Sequence, residues 1–358
     1  MTARVILSAV DEPLAVEHLH SLGCTDGLPV VVPTAERVDR MVLATGMDGD
    51  LLLGNMGPGG GATTIEKVCV NAVMAGCLPD HVPIVVAAIK AMLRPEFDLA
   101  EVQATTHTIS PLVLVNGPAR DFCGVSSGFG ALGPGHRANM TIGRAIRLAM
   151  INIGGATPGV SDMALLGHAG KLSMVLAEDE EHSPFPPLHS ALGFDISDAV
   201  VTVVGTEAPH SVMSVNDADD PTSADRLLRS LGAVVGNLGS NNAFFHRGTA
   251  VVVLNPEHAA VLATAGLSRL DVQAGVFENA RHERSALRAL NPAFVGRGAD
   301  SDLLTSVSAP TDILVMMAGG AGIYSTVFPS WGAGGHGNPA VSERVELGQA
   351  CEIPLRRP

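Results

Sequence analysis

The segment GNMGPGGGATTIEKV (54–68) has five glycines within eight residues and then continues into helix-favouring sequence. Backbone N–H groups in a glycine-rich turn at a helix N-terminus can surround an anion, because no side chain blocks its approach. This pattern predicts a loop that holds a carboxylate, a phosphate or a developing oxyanion. The glycines concerned are Gly57, Gly59, Gly60 and Gly61. The alternative is a crowded corner between packed elements, where only glycine fits.

Residues 57–62 also satisfy G-x-G-x-x-A, a weak dinucleotide-binding fingerprint. The acidic residue expected about 20 positions later should end a second strand, but the nearest candidate, Asp80, precedes a helix. The P-loop pattern GxxxxGK[ST] does not occur. We therefore expect no cofactor, and a dinucleotide-dependent oxidoreductase remains an alternative.

A second glycine loop, GALGPG at 130–135, repeats four of the six residues of GNMGPG at 54–59. Each copy then runs into a similar helix start, which predicts a duplicated unit of strand, glycine loop and helix. We expect the two loops to face one cleft. Polar residues follow the second loop, and arginine among them suits bidentate binding of anions. The predicted substrate-binding residues here are Gly133, Gly135, Arg137, Asn139, Thr141 and Arg144.

Cys77 lies between two predicted helices in VNAVMAGCLPDHVPIVV (70–86). A thiol just ahead of a helix N-terminus has a lowered pKa, which makes Cys77 the candidate nucleophile. It lies 11 residues beyond Glu66, about 16 Å along one helix, so it reaches the other copy's loop only if the helices pack antiparallel. The alternative for Cys77, which is also the interpretation for Cys69 and Cys123, is a small buried hydrophobic residue.

Three further residues are candidates for proton transfer: Lys67, Glu178 and His107. Lys67 follows the first glycine loop, and His107 lies in the polar stretch ATTHTIS before a strand. Glu178 ends the apolar segment LSMVLAE, and carboxylates at strand ends in α/β folds point into ligand crevices. Lys171 lies just upstream and is predicted to bind the substrate in the same cleft.

The run EDEEHSPFPPLH (178–189) contains four consecutive carboxylates and two histidines, His182 and His189. It has no HExxH-type spacing, and its prolines prevent a regular helix between the histidines. We therefore predict no metal site, and interpret the run as a solvated acidic loop.

Five segments spread over most of the chain resemble a bacterial family found alongside, or fused to, small proteins that carry a UGSC selenocysteine or cysteine motif. The resemblance implies a cytosolic enzyme, or enzyme subunit, linked to thiol or selenol chemistry on small molecules. This chain lacks UGSC itself, so a selenol step would need a UGSC-motif protein as partner. The segments are TDGLPVVVPTAERV (25–38), AVMAGCLPDHVPIVVAAI (72–89), GPGHRANMTIGRAIRL (133–148), LAEDEEHSPFPPLH (176–189) and AGGAGIYS (318–325).

Apolar runs of strand length alternate with helical stretches, which predicts an α/β fold of layered sheets and helices. The runs lack strict alternation of apolar and polar residues, which is typical of strands covered on both faces. We expect residues 1–190 to hold the duplicated region and 191–358 a second α/β region packed on it. The predicted strands are 28–32, 51–53, 111–115, 199–204, 250–254 and 312–317. The predicted helices are 64–75, 80–93, 138–151, 223–235, 256–265 and 268–280.

Composition excludes several classes of partner. A net charge of −14 argues against nucleic acid, whose binding depends on Lys and Arg. With 46% hydrophobic and 16% charged residues, the chain can bury a large core. The five cysteines are an odd number without CxxC spacing, and no apolar window reaches the roughly 20 residues of a membrane span. We expect a reduced, cytoplasmic protein with no membrane contact, and the apolar composition suggests a homo-oligomer.

These features predict an enzyme, independent of cofactors, that acts on a small carboxylate- or carbonyl-bearing metabolite. The reaction would be hydrolysis, lyase chemistry or thiol-dependent substitution, with the glycine loops stabilising negative charge. The alternatives are a non-catalytic subunit that binds a UGSC-type partner and, as above, a dinucleotide-dependent oxidoreductase.

Overall fold

A computed structural model of the protein describes residue 9, residues 11–217 and residues 220–347. Helices and strands are mixed along this part of the chain, which confirms the predicted α/β fold. The α-helices are α1 (Glu12–Ser21), α2 (Ala35–Thr45), α3 (Ile65–Ala75), α4 (Val82–Leu93), α5 (Leu99–Ala104), α6 (Ala119–Phe122), α7 (Arg137–Asn152), α8 (Leu188–Ala191), α9 (Ser223–Val235), α10 (Asn241–Phe245), α11 (Pro256–Thr264), α12 (Arg269–Asn279) and α13 (Arg284–Leu290). The strands are β1 (Leu52–Met56), β2 (Gly61–Thr64), β3 (Ser110–Asn116), β4 (Val175–Ala177), β5 (Val200–Thr206), β6 (His210–Met213), β7 (Ala250–Leu254), β8 (Arg281–Glu283), β9 (Leu303–Thr305), β10 (Ile313–Met317), β11 (Tyr324–Phe328) and β12 (Val341–Arg344). Single 3-10 turns lie at Pro79–His81, Pro95–Phe97, Ala169–Lys171 and Pro310–Asp312.

Local capping explains why the long helices begin where the sequence predicts. Thr64 accepts the Lys67 N–H at the start of α3, and Asn255 accepts the His258 N–H at the start of α11. These bonds satisfy N–H groups that have no partner within the helix. One predicted strand is wrong. Residues 28–32 form no strand, because this segment runs beside the end of α3 and pairs singly with it, through a bond from the Val31 N–H to the Met74 carbonyl.

Two four-stranded sheets with the same plan form the centre of the protein. In the first sheet the order is β4-β3-β5-β12, and in the second it is β10-β7-β11-β6. Each sheet begins with a parallel pair, β3 with β4 and β7 with β10, and then adds two antiparallel strands. A long helix and then a short one precede the central strand of each sheet: α4 and α5 before β3, and α9 and α10 before β7.

Each sheet receives its last strand from the part of the chain that forms the other sheet. After β5 the chain crosses to the second sheet as β6, and after β11 it returns to the first sheet as β12. The predicted division at residue 190 therefore does not coincide with the sheets, because β5 and β12 belong to the same sheet as β3 and β4.

The sheets pack face to face between outer layers of helices. Alternate residues of each strand point inward, where Leu112 and Leu114 of β3 share one cluster with Val251 and Val253 of β7. The other faces are covered separately, the first mainly by α3, α4 and α7, and the second by α9, α11 and α12. Strands covered on both faces explain why the apolar runs lack alternation, as the sequence predicted.

The first glycine loop is the tip of a hairpin formed by β1 and β2, and it packs against the end of α7. The backbones approach closely there, since a Cβ atom on Gly61 would lie 1.9 Å from the Ile153 carbonyl oxygen. Gly154 makes the reciprocal approach, with an added Cβ 2.6 Å from the Gly57 oxygen. The loop is thus the crowded corner that was the alternative to an anion site.

The echo between the two glycine loops does not correspond to a repeated unit. The first loop joins two paired strands, whereas the second lies between α6 and α7 and contains no hairpin. The structural repeat is instead the pair of sheets described above. Within the described residues, no helix is both long and apolar enough to cross a bilayer.

Replacing Gly61 with alanine should therefore destabilise the fold. The new Cβ would overlap a carbonyl that α7 holds in place, and we expect a loss of about 3 kcal/mol in the free energy of unfolding. Urea denaturation measures this change. Gly128→Ala is a matched control, because an added Cβ there meets nothing within 4 Å and should leave stability within about 0.5 kcal/mol of the wild type. Equal stability of the two variants would contradict the packing.

Candidate functional site

The two glycine loops do not face one cleft, so that prediction is wrong. The first loop contacts the C-terminal end of α7, and the second directly precedes its N-terminus, so the 16 residues of α7 separate them by about 24 Å. Loop amides are also already used. The Gly59 N–H donates to Gly154 and the Gly60 N–H to Met56, while the Gly133 N–H donates to Gly130. These bonds remove three of the donors that an oxyanion hole would need, and Gly135 contributes a left-handed turn with φ of 108°.

The arginines near the second loop bind the protein's own backbone and carboxylates. Arg137 donates through Nε and Nη2 to the Gly76 carbonyl, at 3.2 and 2.9 Å, and so caps the end of α3. Arg144 forms a bidentate pair with Asp26, at 2.7 and 2.9 Å. These contacts place both guanidinium groups in structural roles, because their donor forks are occupied.

The other two polar residues that follow this loop are also committed to the fold. Asn139 is fully buried, and its amide group bonds both the N–H and the carbonyl of Ser126 and the carbonyl of Val175. Thr141 donates its hydroxyl hydrogen to the Arg137 carbonyl at 2.9 Å. Neither side chain is free to bind a substrate in this arrangement.

Cys77 does not have the lowered pKa that the sequence predicted. Helices α3 and α7 pack antiparallel, which brings the Cys77 Sγ within 3.3 Å of the Thr141 carbonyl oxygen. The thiol is 5% exposed, and burial raises its pKa to about 12 despite the opposing charges of Arg137 and Arg144. A buried neutral thiol is a poor nucleophile, so the hydrophobic alternative describes Cys77.

Lys67 and Glu178 lie apart from each other and from His107. Lys67 donates its ammonium hydrogen to the Ala62 carbonyl at 2.7 Å, beside the first glycine loop. Glu178 follows β4, at the end of the first sheet where β3 also finishes. His107 precedes β3 and so lies at the opposite end of that strand, whose seven residues span about 23 Å.

Glu178 is a buried acid that joins the two halves of the fold. It accepts bonds from the Asn116 amide at 2.6 Å, the Leu188 N–H at 2.7 Å and the Arg269 guanidinium at 3.1 Å. Burial raises the pKa of Glu178 to about 7, although the charge of Arg269 acts against that rise. The carboxyl group has no exposed surface, so a substrate cannot reach it without a conformational change.

His107 belongs to a partly exposed cluster of ionisable groups at the other end of the first sheet. Its Nε2 lies 3.0 Å from Oε1 of Glu207, the residue directly after β5. The second oxygen of Glu207 lies 3.8 Å from Nε2 of His210, which begins β6. One carboxylate thus faces two imidazoles, and the His107 side chain keeps 30% of its surface accessible.

Lys171 lies in the loop between α7 and β4, and its charge acts on His168, as do the charges of His107 and Glu207. Its ammonium group lies 2.7 Å from Asp162, and its carbonyl accepts a bond from Arg147 at 2.7 Å, which fixes the backbone there. Burial lowers the pKa of Lys171, and Asp162 opposes that change. The predicted association of Lys171 with Glu178 is not observed, because Lys171 precedes β4 and Glu178 follows it.

His168 lies within electrostatic range of Lys171, Glu207 and His107. Its Nδ1 accepts the Gly170 N–H at 3.1 Å, and its Nε2 is buried without a partner among the described residues. Burial lowers the pKa of His168, as do the charges of Lys171 and, more weakly, His107, while Glu207 raises it. His168 is therefore a neutral imidazole at pH 7 that lies within the electrostatic field of both ends of the cluster.

The sequence indicated His107 and Lys171, but not Glu207, His210, His168 or Asp162. Glu207 lies 100 residues after His107, and no motif connects them, so only the pairing of β3 with β5 brings them together. A signal that was available is the position of Glu207 at the end of the apolar run AVVTVVGT, since strand ends carry functional side chains. Among the described residues, no group of three or more His, Cys, Asp or Glu side chains is arranged to hold a metal ion.

Replacing Glu178 with glutamine should change how stability depends on pH. Since burial raises the Glu178 pKa from 4.5 to about 7, the folded state keeps a proton that the unfolded chain releases over this range. Wild-type stability should fall relative to the variant as the pH rises from about 4.5 to 7, by at most about 3 kcal/mol. Urea unfolding at several pH values measures the difference, and parallel curves for the two proteins would contradict the assignment.

Cys77 should be almost inert towards alkylation in the folded protein. At pH 7.5 we expect iodoacetamide to label it at least about 100-fold more slowly than the partly exposed Cys24, because its buried thiol does not ionise. Peptide mass mapping during a time course gives both rates from one sample. Comparable rates would return Cys77 to consideration as a nucleophile.

The candidate site is therefore the cluster around His107. It combines two residues predicted from the sequence, His107 and Lys171, with other groups that can carry protons: Glu207, His210 and His168. No protein-family model matches the chain, and no curated protein matches it either. A function for this protein must therefore be inferred from the chemistry of the side chains in the cluster.

Proposed function

We propose that this protein is an enzyme in which His107, oriented by Glu207, removes a proton from a small carbonyl- or carboxylate-bearing substrate. The observation that carries the proposal is the 3.0 Å contact between His107 Nε2 and Glu207 Oε1, with Lys171 among the charges that act on the same neighbouring imidazole, His168. Side chains that pair an imidazole with a carboxylate, near other groups with shifted pKa values, are typical of acid–base sites.

The contact determines which nitrogen of His107 acts as the base. An ionised carboxylate only accepts hydrogen bonds, so Nε2 must carry the hydrogen that it donates to Glu207. Nδ1 then has a free lone pair. When Nδ1 takes a proton, the positive charge that forms on the ring is stabilised by Glu207.

Lys171 supplies the opposite charge. In the proposed step a C–H bond next to a carbonyl breaks, its proton moves to His107, and its electron pair moves to the carbonyl oxygen. The Lys171 ammonium stabilises that oxygen, and the ion pair with Asp162 favours the charged form of the lysine. Expulsion of a group, with its bonding electron pair, from the next carbon would make the reaction a lyase. If His107 instead took its proton from a water molecule, the water oxygen would bond to the carbonyl carbon, the bond to the leaving group would break, and His107 would return the proton to that group, which is hydrolysis.

A second candidate function, binding to a UGSC-motif protein as a non-catalytic subunit, rests on a different observation. The loop between α7 and β4 exposes large apolar side chains next to the cluster, including Val160 at 76%, Leu165 at 83% and Leu166 at 92%. Apolar residues grouped on a surface are typical of contacts between proteins. The same surface would also serve a homo-oligomer, and analytical ultracentrifugation of the purified chain with and without a UGSC-motif protein distinguishes the two.

Replacing His107 with alanine should reduce proton abstraction at least about 100-fold, because a positioned general base contributes that much to the rate. The measurement is exchange of α-protons in D₂O, followed by ¹H NMR over a panel of small 2-oxo and 3-oxo acids. It detects C–H cleavage even when the complete substrate is not supplied.

His182→Ala is the matched control, because His182 also pairs with a carboxylate, Asp179 at 2.8 Å, but lies on the surface at 79% exposure. Its exchange rate should equal that of the wild type. The acid–base assignment fails if the wild type exchanges no member of the panel above the uncatalysed rate, or if both variants exchange equally fast.

A further inference from the structure

A cavity of about 310 Å³ lies between the first glycine loop and the segment that joins α4 to α5. Gly57, Pro58 and Gly60 form one side of it, and Arg94, Asp98 and Glu101 line the other. Its size falls in the range of small-molecule sites. The first residues of α5 line the cavity, whereas the His107 cluster follows the C-terminal end of that helix, so the two sites have separate linings.

Negative charge predominates around this cavity. Arg94 lies 3.7 Å from Glu96 and 4.0 Å from Glu343, so two carboxylates already compensate its single charge. Asp98 accepts bonds from both the Nδ1–H and the backbone N–H of His336, at 2.6 and 2.7 Å. Arg94 and His336 are thus both paired with carboxylates, and neither adds an excess of positive charge to the cavity.

Within the described part of the chain, Glu101 is the lining carboxylate without an ion pair of its own, although the charge of His336, which is held by Asp98, also acts on it. One of its oxygens accepts the Gly335 N–H at 3.1 Å, and among the described residues no cationic side chain forms an ion pair with it. Concave surfaces lined by one sign of charge concentrate the opposite charge from solution. The cavity therefore favours a cation over an anion, in contrast to the anionic ligand that the glycine loop suggested.

Apart from Asn55, the remaining side chains of the lining are apolar. Pro58, Leu93 and Pro95 contribute hydrocarbon surface between the glycine loop and Glu101. A ligand that fits both features has one charged nitrogen and a short aliphatic body. The volume equals about ten water molecules in the liquid, which accommodates a chain of several carbon atoms.

We propose that this cavity binds a small organic ammonium ion, with its nitrogen on Glu101 and its aliphatic part against the apolar lining. The binding is electrostatic at one end and hydrophobic at the other. It is independent of the proton transfer proposed for His107.

Isothermal titration calorimetry with n-butylammonium chloride, at low ionic strength, tests the site. The wild type should bind it saturably, and Glu101→Gln should weaken binding at least tenfold. Glutamine keeps the shape of the side chain and an acceptor for the Gly335 N–H, so the variant should fold normally. Butyrate and 1-butanol, which share the chain but not the charge, should not bind measurably.

Glu96→Gln is the control for a general loss of negative charge, since Glu96 carries the same charge nearby but does not line the cavity. It should bind butylammonium within twofold of the wild type. Absence of binding to the wild type, or equal weakening in both variants, would overturn the proposal.

Discussion

The layer of aliphatic side chains between the two sheets is the constraint on which the rest of the fold depends. Leu112 and Leu114 meet Val251 and Val253 there, in a space that neither sheet could dehydrate alone. Because each sheet is apolar on both faces, each also needs helices on its outer side. The four layers follow from that requirement, and so does the position of polar groups, which are left to the ends of the strands.

The ends of the first sheet illustrate two outcomes for such groups. At one end, Glu178 and Arg269 are buried together where the halves meet, and their bonds are satisfied mostly by the protein itself. At the other, His107 and Glu207 keep contact with solvent. Because Glu178 and Arg269 are buried, their interaction stabilises the fold. His107 and Glu207 are accessible and can form further hydrogen bonds, so they can take part in chemistry.

Sequence reasoning succeeded where the determinants are local. Thr64 and Asn255 cap helices at predicted starts, and apolar runs such as 250–254 became strands, since capping and hydrophobic burial act over a few residues. It failed for the glycine loops. The same backbone freedom serves anion binding and close packing equally well, and only the approach of Ile153 to Gly61 separates the two.

The repeat of the fold and most of the candidate site were beyond sequence reasoning for a related reason. The two sheets share strand order but little sequence, apart from an asparagine that ends or follows the central strand, Asn116 after β3's apolar run and Asn255 after β7. Glu207 and His210 join His107 through strand pairing between distant segments. Which strands pair is determined by the burial of the whole sheet, and a short sequence motif carries no information about it.

The exchange of β6 and β12 has a consequence for how the chain acquires its structure. Val203 of β5 pairs with Val341 of β12, so the edge of the first sheet stays open until β12 has been synthesised. Contacts between such distant segments slow folding, because the entropy of closing a long loop is lost before the strand pairing contributes stabilising contacts. The first sheet therefore cannot be completed before the second half of the chain is made. Until then the nascent protein presents an unpaired strand edge that a chaperone can hold.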